Sequence, residues 1–371
     1  MAYCPAKVTV VVPTYNRWHA VTRNLRQWAG MSAEFIILDN GRHNEATQRA
    51  RSMPKNATYH HDPDGFTVQM ANLSQHIRTP YAILCDDDNI LLESGLRACV
   101  SLLEQNPRVN FAWGTSATFQ EVAGFYHLTR TYWRPCSAPE SFEAGLQAVD
   151  SHMRQYTPLA WYAVHRSESF VRHHEMVSRV RTLSSTAYAT EIAFEFASFF
   201  DGCGVGLDAL TVLRSLNERP LNQHTPSRIL TINQWLHQPQ YNLEVASVGK
   251  AIAESLDVRP EERPSGSQVV QLLRFHFPEH SHGGISMSVN SLVYGIPFWP
   301  KSNRVLNAFL RSGSRIRGSI AWWFSSKAPG QLQCQLQRLF GQRSRRILLD
   351  RSMASLSLSD QVELQKVLSD Y

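Results

Sequence analysis

The segment Tyr81-Ala-Ile-Leu-Cys85 runs without a break into Asp86-Asp87-Asp88. A short continuous apolar run of this kind reads as a buried strand of a parallel sheet. Three adjacent carboxylates repel one another and cannot follow such a strand into a core. The junction therefore belongs at the end of a strand, at the sheet margin. In open α/β sheets the carboxyl ends of the strands are where ligands bind. A hard divalent cation such as Mn²⁺ or Mg²⁺ relieves the repulsion with oxygen ligands. The simpler alternative is a solvated turn that caps the following helix.

The surrounding pattern supports such a sheet. Val8-Thr-Val-Val-Val12 is a β-branched run stopped by Pro13, and a helical stretch covers His19–Ala29 up to Gly30. Phe35-Ile-Ile-Leu38 is a second buried strand, with Asp39-Asn-Gly41 as its turn. A helix over Arg42–Ser52, a weak strand at Thr58–His60 and a helix over Thr67–Ile77 follow. Leu91–Gln105 is an amphipathic helix, and Val109–Trp113 a further strand. The alternation predicts an α/β fold with a mostly parallel sheet flanked by helices. Farther on, Ser137-Ala-Pro-Glu140 has capping-box spacing and opens a helix that runs to about Arg154. Trp161–Val164 is strand-like, Tyr188–Phe200 is a helix ended by Gly202, and Leu210–Leu213 is a last strand. From about 220 the pattern is helical segments joined by loops such as Arg263–Ser267. Residues 1–220 thus form a catalytic α/β domain and 221–371 a mainly helical, basic C-terminal extension.

Charge divides the chain in the same way. Residues 301–371 carry 12 Lys+Arg against 4 Asp+Glu, while residues 1–300 carry 25 against 27. The formal net charge of +6 belongs to the extension, so the core has no electrostatic signature of a nucleic-acid-binding enzyme. No apolar run approaches the roughly 20 residues that span a bilayer. Six cysteines form no CxxC pair and no zinc-like spacing. With no secretory signal in the first residues, they read as reduced thiols of a cytoplasmic protein.

Three segments carry the chemistry together: Val11-Val-Pro-Thr-Tyr-Asn-Arg17 after strand one, Ile37-Leu-Asp-Asn-Gly41 after strand two, and Ile83-Leu-Cys-Asp-Asp-Asp-Asn89. In this order and spacing they resemble the family-two-like glycosyltransferases with a GT-A fold, the nucleotide-diphospho-sugar transferase superfamily. The resemblance is strong over 7–115, weaker to 215 and absent beyond. It implies a Rossmann-like GT-A sheet, a nucleotide-diphosphate sugar donor, usually a UDP-sugar, and a DxD-type motif holding Mn²⁺ or Mg²⁺. Pro13, Thr14, Tyr15 and Arg17 match the nucleotide pocket, with Tyr15 stacking on the base and Arg17 meeting a phosphate. Asp39 matches the acid that hydrogen-bonds the base. Asp86 and Asp88 match the outer positions of DxD, Asp86 facing the ribose and Asp88 the metal. Asp87 opens a second frame. Asn72, in Met70-Ala-Asn-Leu-Ser74, resembles an R-N-x-G stretch of the family, from which Met70 and Ser74 depart.

Transfer to a hydroxyl acceptor needs a base, and the resemblance implies an inverting reaction with a carboxylate at a helix start. Glu191 and Glu195 sit four apart, on one helix face. Glu191, nearer the helix start, is the first choice and Glu195 the second; the alternative is two solvated glutamates on an amphipathic helix. Among fifteen histidines, His224 is the best candidate for a third metal ligand and His237 the next. His280 and His282 read as loop residues. Trp133-Arg134 and Tyr156–Tyr162 are aromatic stretches that line an acceptor site or pack in the core.

Arg304, Arg311, Arg315, Arg317, Arg338, Arg343, Arg345 and Arg346 surround Trp322-Trp-Phe324. That pattern fits peripheral attachment to an anionic membrane at its inner face, which suits a lipid-linked acceptor. It also fits a nucleic-acid surface, or an extension that packs its aromatics and solvates its arginines. A glycan or protein acceptor stays open beside the lipid-linked one. Two other functions compete with transfer: a sugar nucleotidyltransferase, and a GT-A-like nucleotide-binding module without activity. The first wants a glycine-rich phosphate loop, and residues 13–29 contain no glycine.

Overall fold

The computed structural model describes residues 7–41, 45–63, 65–122, 125–132, 141–142, 144–154, 156–215, 230–279, 346–349, 362–364 and 366–368. The chain opens with β1 (Val8–Thr14), α1 (Trp18–Trp28), β2 (Glu34–Asp39), α2 (Ala46–Arg51), β3 (Ala57–His61) and α3 (Phe66–Ala71). It continues through β4 (Tyr81–Leu84), β5 (Asn89–Leu91), α4 (Glu93–Gln105), β6 (Val109–Val122) and β7 (Phe125–Tyr132). Then come β8 (Ser141–Phe142), α5 (Leu146–Met153), β9 (Val164–Arg166), α6 (Ser167–Leu183), α7 (Tyr188–Asp201) and β10 (Cys203–Ser215). The helices α8 (Ile232–His237), α9 (Asn242–Ser255) and α10 (Gly266–His276) precede a last strand, β11 (Arg346–Leu349).

Among the described residues the strands form one mixed sheet in the order β11-β7-β6-β9-β4-β1-β2-β3, with β10 paired to β5, β6 and β8. β4, β1, β2 and β3 run parallel. Their carboxyl ends therefore open on one side. The period-two alternation of β1 decides the two layers. Val11 turns to a cluster with Met70, Phe170, Phe194 and Val248, which α3, α6, α7 and α9 cover. Val10 and Val12 turn to the other cluster, with Val21 and Trp28 of α1 and Leu96 and Cys99 of α4. This is the mostly parallel sheet flanked by helices that the sequence pattern predicts.

The expected strands at 8–12, 35–38, 58–60 and 81–85 and the expected helices at 19–29, 91–105 and 188–200 are present within a few residues. Four features differ. β6 extends well past Trp113 and turns back as the antiparallel β7. Ser141–Phe142 pairs with β10, so the helix near Arg154 begins only at Leu146. Trp161 lies in a single 3₁₀ turn, and the strand starts at Val164. The long helix α6 has no counterpart in the reading of the sequence. Its buried face contains His173, His174 and Ser178, so the apolar period is broken by polar residues that are nevertheless inside.

Beyond residue 230, α8 and α10 start with capping boxes, Thr231 with Gln234 and Ser265 with Gln268. Trp235, Val248 and Val269 belong to the same cluster as α6 and α7. The C-terminal segment is not helical throughout: β11 adds to the sheet edge beside β7. Helical turns at 362–364 and 366–368 place Leu364, Val367 and Leu368 against Ile90, Leu92 and Phe119. The Glu363 carboxylate accepts the Ser94 amide of α4 at 3.1 Å and also that of Glu93. It thereby satisfies two orphan donors of that helix.

The C-terminal turn should thus contribute to the fold itself. Leu364→Ala is expected to cost about 2–4 kcal/mol in denaturant unfolding. Val362→Ala, at a side chain 61% exposed, should change stability by less than about 0.5 kcal/mol. Equal effects would mean that the turn does not dock as described.

Candidate active site

The site is built where β1, β2 and β4 end. β4 hands over to the acidic turn through the Cys85 amide, which donates to the Val11 carbonyl at 2.9 Å. The middle carboxylate points inward: Asp87 is 1% exposed. Thr14 donates its hydroxyl to Asp87 Oδ2 at 2.7 Å, and Arg17 donates Nε to the same oxygen at 3.1 Å and Nη2 to Oδ1. Arg17 Nη1 reaches Asp88 Oδ2 at 3.1 Å. The strand-one turn that delivers Arg17 passes through Asn16 in the left-handed region, φ +54°, which asparagine tolerates better than most residues. One turn into α1, Asn24 lies on the buried face beside Val21 and Trp28. Its amide donates to the carbonyls of Asp87 and Asn89 at 3.1 and 3.0 Å. The first two β/α units therefore grip the acidic turn by side chain and by backbone.

The outer carboxylates face the cleft. Asp86 Oδ2 accepts from the Tyr162 hydroxyl at 2.9 Å and from Asn89 Nδ2 at 3.3 Å. Asp86 Oδ1 and Asp88 Oδ1 have no hydrogen-bond donor among the described residues. Burial and the neighbouring Asp86 push the Asp88 carboxyl above the usual range, against the pull of Arg17 and Arg214. Burial likewise raises Asp87, to about 6, although Arg17 and Thr14 oppose it. Burial would strip charge from Arg17, but its bonds to Asp87 and the nearby carboxylates hold it charged above its ordinary range. The Cys85 thiol is buried and raised, first by burial and then by the three carboxylates, so it stays protonated and inert.

Glu191 stands across the cleft in the first turn of α7. Its Oε1 accepts from the Tyr156 hydroxyl at 2.7 Å. Burial pushes its carboxyl up to about 7; Glu195 and Asp86 add to the rise, while Tyr156 and Arg214 pull it down. A carboxylate near neutrality at a strand-end cleft is what general-base chemistry requires. Glu195, one turn on, is fully buried rather than facing the cleft. Its Oε1 accepts the Trp161 amide at 2.6 Å, and its Oε2 lies 2.8 Å from His152 Nε2.

Four residues at this site were not visible to sequence reasoning as site residues: Tyr156 and Tyr162 in their individual roles, His152 and Arg214. Arg214 lies on β10 opposite Asn89, and its charge acts on both Asp88 and Glu191. Only the β5–β10 pairing brings it there.

Asp39, 1% exposed at the end of β2, is engaged on both oxygens. Oδ1 accepts the Gly41 amide at 2.8 Å, and Oδ2 accepts Arg49 Nη1 at 2.7 Å and the Tyr59 hydroxyl at 2.8 Å. Tyr15, 40% exposed, follows Thr14, the β1 residue that pairs with Asp39; Pro13 is half-buried and Thr14 is buried on Asp87. Asn72 closes α3, and its side chain accepts from Gln75 at 3.2 Å. The structure gives all three Arg17 nitrogens described above to Asp87 and Asp88. His224, Trp133, Arg134, His280, His282 and most of the basic 301–351 segment lie outside the described residues. His237 Nε2 donates to the Phe277 carbonyl at 2.7 Å, tying α8 to the end of α10. Among the described residues no three His, Cys, Asp or Glu side chains converge on one point.

The family described as Glycosyl transferase family 2 matches residues 9–161. No curated protein matches the chain. Among solved structures, that of Staphylococcus aureus TarS residues 1–349 is similar at 11% identity, over 77% of this chain and 76% of that one, with a TM-score of 0.44. TarS 1–349 in complex with UDP-GlcNAc is 13% identical over 73% and 72%, TM-score 0.43. The mannosyltransferase PcManGT of Pyrobaculum calidifontis, in complex with GDP-Man and Mn²⁺, is 13% identical over 82% and 79%, TM-score 0.41. The matched segment holds β1, β2, the acidic turn and Tyr156, the residues that frame the cleft, so over this stretch the chain is similar to the family-two glycosyltransferases.

Proposed function

We propose that the protein moves a sugar from a nucleoside-diphosphate donor, a UDP-sugar, to a hydroxyl acceptor with inversion. The observation that carries this is the placement of Glu191 in the first turn of α7, held by the Tyr156 hydroxyl and near enough to Asp86 to feel its charge, with burial pushing its carboxyl up to about 7. Among the described residues Asp86 and Asp88 each keep one carboxylate oxygen without a donor, and burial and Asp86 push the Asp88 carboxyl up. That donor set fits a hard divalent cation, Mn²⁺ or Mg²⁺. When bound, the cation would neutralise charge on the leaving diphosphate.

The protein's own residues divide the remaining work. Tyr15 offers an exposed ring for the base, and Asp39 an acceptor beside it. Arg17 braces Asp87 and Asp88 at the edge of the donor pocket, and the charge of Arg214 acts on both Asp88 and Glu191. Asn72 is retained only as a neighbour of the donor pocket. Glu191, held by Tyr156, takes the proton of the acceptor hydroxyl as that oxygen attacks the anomeric carbon. The acceptor class follows from the basic, aromatic 301–351 segment: a lipid-linked acceptor at an anionic membrane surface, reached by peripheral attachment. No helix among the described residues is long and apolar enough to cross a membrane.

A panel of nucleotide sugars with Mn²⁺ or Mg²⁺ tests the reading by nucleoside-diphosphate release. Asp88→Asn should lower release by at least about 100-fold, and Glu191→Gln should lower transfer by about 10²–10⁴-fold while sparing donor binding. A protein that binds and cleaves no nucleotide sugar under these conditions would be the silent module instead.

The pH dependence follows from Glu191. Asp86, Glu195, Arg214, Tyr156 and Tyr188 surround it, and its carboxyl is raised from 4.5 to about 7. The base is ionised only above that value, so kcat/KM should rise with pH to a plateau above about 7. The stability sign is opposite. A raised acid contributes stability that is complete below pH 4.5 and lost as the pH climbs through about 7. At pH 8 Glu191→Gln should therefore melt higher than the wild type although it is inactive. A lower melting temperature would contradict the burial argument.

Membrane attachment is tested by sedimentation with vesicles containing anionic lipid. Replacing Arg304, Arg311, Arg315 and Arg317 by Glu should abolish co-sedimentation, and 0.5 M salt should do the same to the wild type. Sedimentation unchanged by both would reject it.

A further inference from the structure

Two pairs of side chains link α7 to α5 and to the segment that follows it. In the upper pair the Tyr156 hydroxyl donates to Glu191 at 2.7 Å. In the lower pair His152 Nε2 lies 2.8 Å from Glu195 Oε2. Both members of the lower pair are 0% exposed. Glu191 and Glu195 are i, i+4 on α7; Tyr156 lies beyond the end of α5, and its ring stands 5.8 Å from that of His152, centroid to centroid, so the two pairs sit side by side like rungs. His152 is fixed from its other face by stacking on Phe199, ring centroids 3.9 Å apart.

The second oxygen of Glu195 reaches elsewhere. Oε1 accepts the Trp161 backbone amide at 2.6 Å. Trp161 is the middle residue of the 3₁₀ turn 160–162, and the next residue, Tyr162, donates its hydroxyl to Asp86 at 2.9 Å. Glu195 is thus bound at one oxygen to the rung beneath Tyr156 and at the other to the turn that presents Tyr162. These two tyrosines donate to the two cleft carboxylates on opposite walls, Glu191 and Asp86.

We infer that Glu195 is a positioning residue: through His152 and the Trp161 amide it fixes Tyr156 and Tyr162, and with them the distance between the proposed base and the acidic turn. It does not act as a base, because no path for an acceptor leads to a carboxylate that is wholly inside and already holds two partners. A buried carboxylate is costly unless its oxygens are satisfied. Here the Trp161 amide satisfies Oε1 and His152 stands 2.8 Å from Oε2, and each of these groups leads directly to a residue of the cleft. The inference rests on the glycosyltransferase reading.

The test compares Glu195→Gln, Glu195→Leu and Glu191→Gln. Glutamine keeps an acceptor for the Trp161 amide and an amide for His152. It should restore most of the kcat that leucine loses, and that loss is expected to be on the order of 100-fold with a smaller change in donor KM. Glu191→Gln should stay inactive. A double-mutant cycle then asks whether the effect passes through Tyr162. In a Tyr162→Phe background, Glu195→Leu should cost much less than 100-fold. Glu195→Gln as inactive as Glu191→Gln would make Glu195 a base and overturn the inference. So would full additivity of Glu195→Leu and Tyr162→Phe, which would leave Glu195 a packing residue alone. If Glu195→Leu does not fold, the glutamine comparison decides by itself. A wild type that turns over no nucleotide sugar would overturn the functional reading, a result distinct from either of these.

Discussion

Asp87 is buried at the mouth of the sheet, and it stays there because the half-buried Arg17 pairs with it. An unpaired carboxylate in that position would be expelled or protonated. Breaking such a buried pair by removing one partner costs about 3–5 kcal/mol. The pair has consequences in both directions along the chain. It fixes the start of α1 against the end of β4, since Thr14 and Asn24 join Arg17 on the same turn. It also sends the other two carboxylates outward. With Asp87 locked in, Asp86 and Asp88 must lie on the cleft side, where their mutual repulsion makes a place for positive charge.

The cleft has a second wall, and its logic differs from the first. On the sheet side charge is compensated by arginines: Arg17 from β1 and Arg214 from β10. On the helix side, around Glu191, compensation is deliberately incomplete. Tyr156 gives one hydrogen bond, while burial, Glu195 and Asp86 all oppose ionisation. One wall therefore keeps carboxylates in place, and the other keeps a carboxyl ready to exchange a proton near neutral pH. The α5–α7 rungs and the 160–162 turn connect the two walls without passing through the cleft itself.

Much of the first wall was legible in the sequence. Buried parallel strands are apolar throughout, so their polar ends stand out, as at Asp39 and Asp86–Asp88. Glu191 was legible as the first acid of a helix. The rest depended on long-range pairing. Arg214 is one arginine among many until β10 pairs with β5. The start of β10, Cys-Gly-Val-Gly, reads as a loop; yet Gly204 is where the Phe111 ring covers the strand, and a Cβ would fall on that ring. The helix α6 was hidden because buried histidines look polar. Glu195 and Glu191 look alike in sequence, and only their burial separates their roles. Gly95 likewise carries no local signal, although it lets α4 approach the Leu210 carbonyl of β10.

The central claim is that Asp86 and Asp88 on one wall and Glu191 on the other frame a single donor site. A crystal of the wild-type protein grown with UDP and Mn²⁺, with data collected at the manganese absorption edge, tests it most directly. The account predicts one anomalous peak within coordination distance of Asp86 or Asp88, with the diphosphate beside it and Glu191 facing the sugar side of the β-phosphate. A manganese peak away from the acidic turn, or a nucleotide bound where Glu191 cannot face it, would contradict the account.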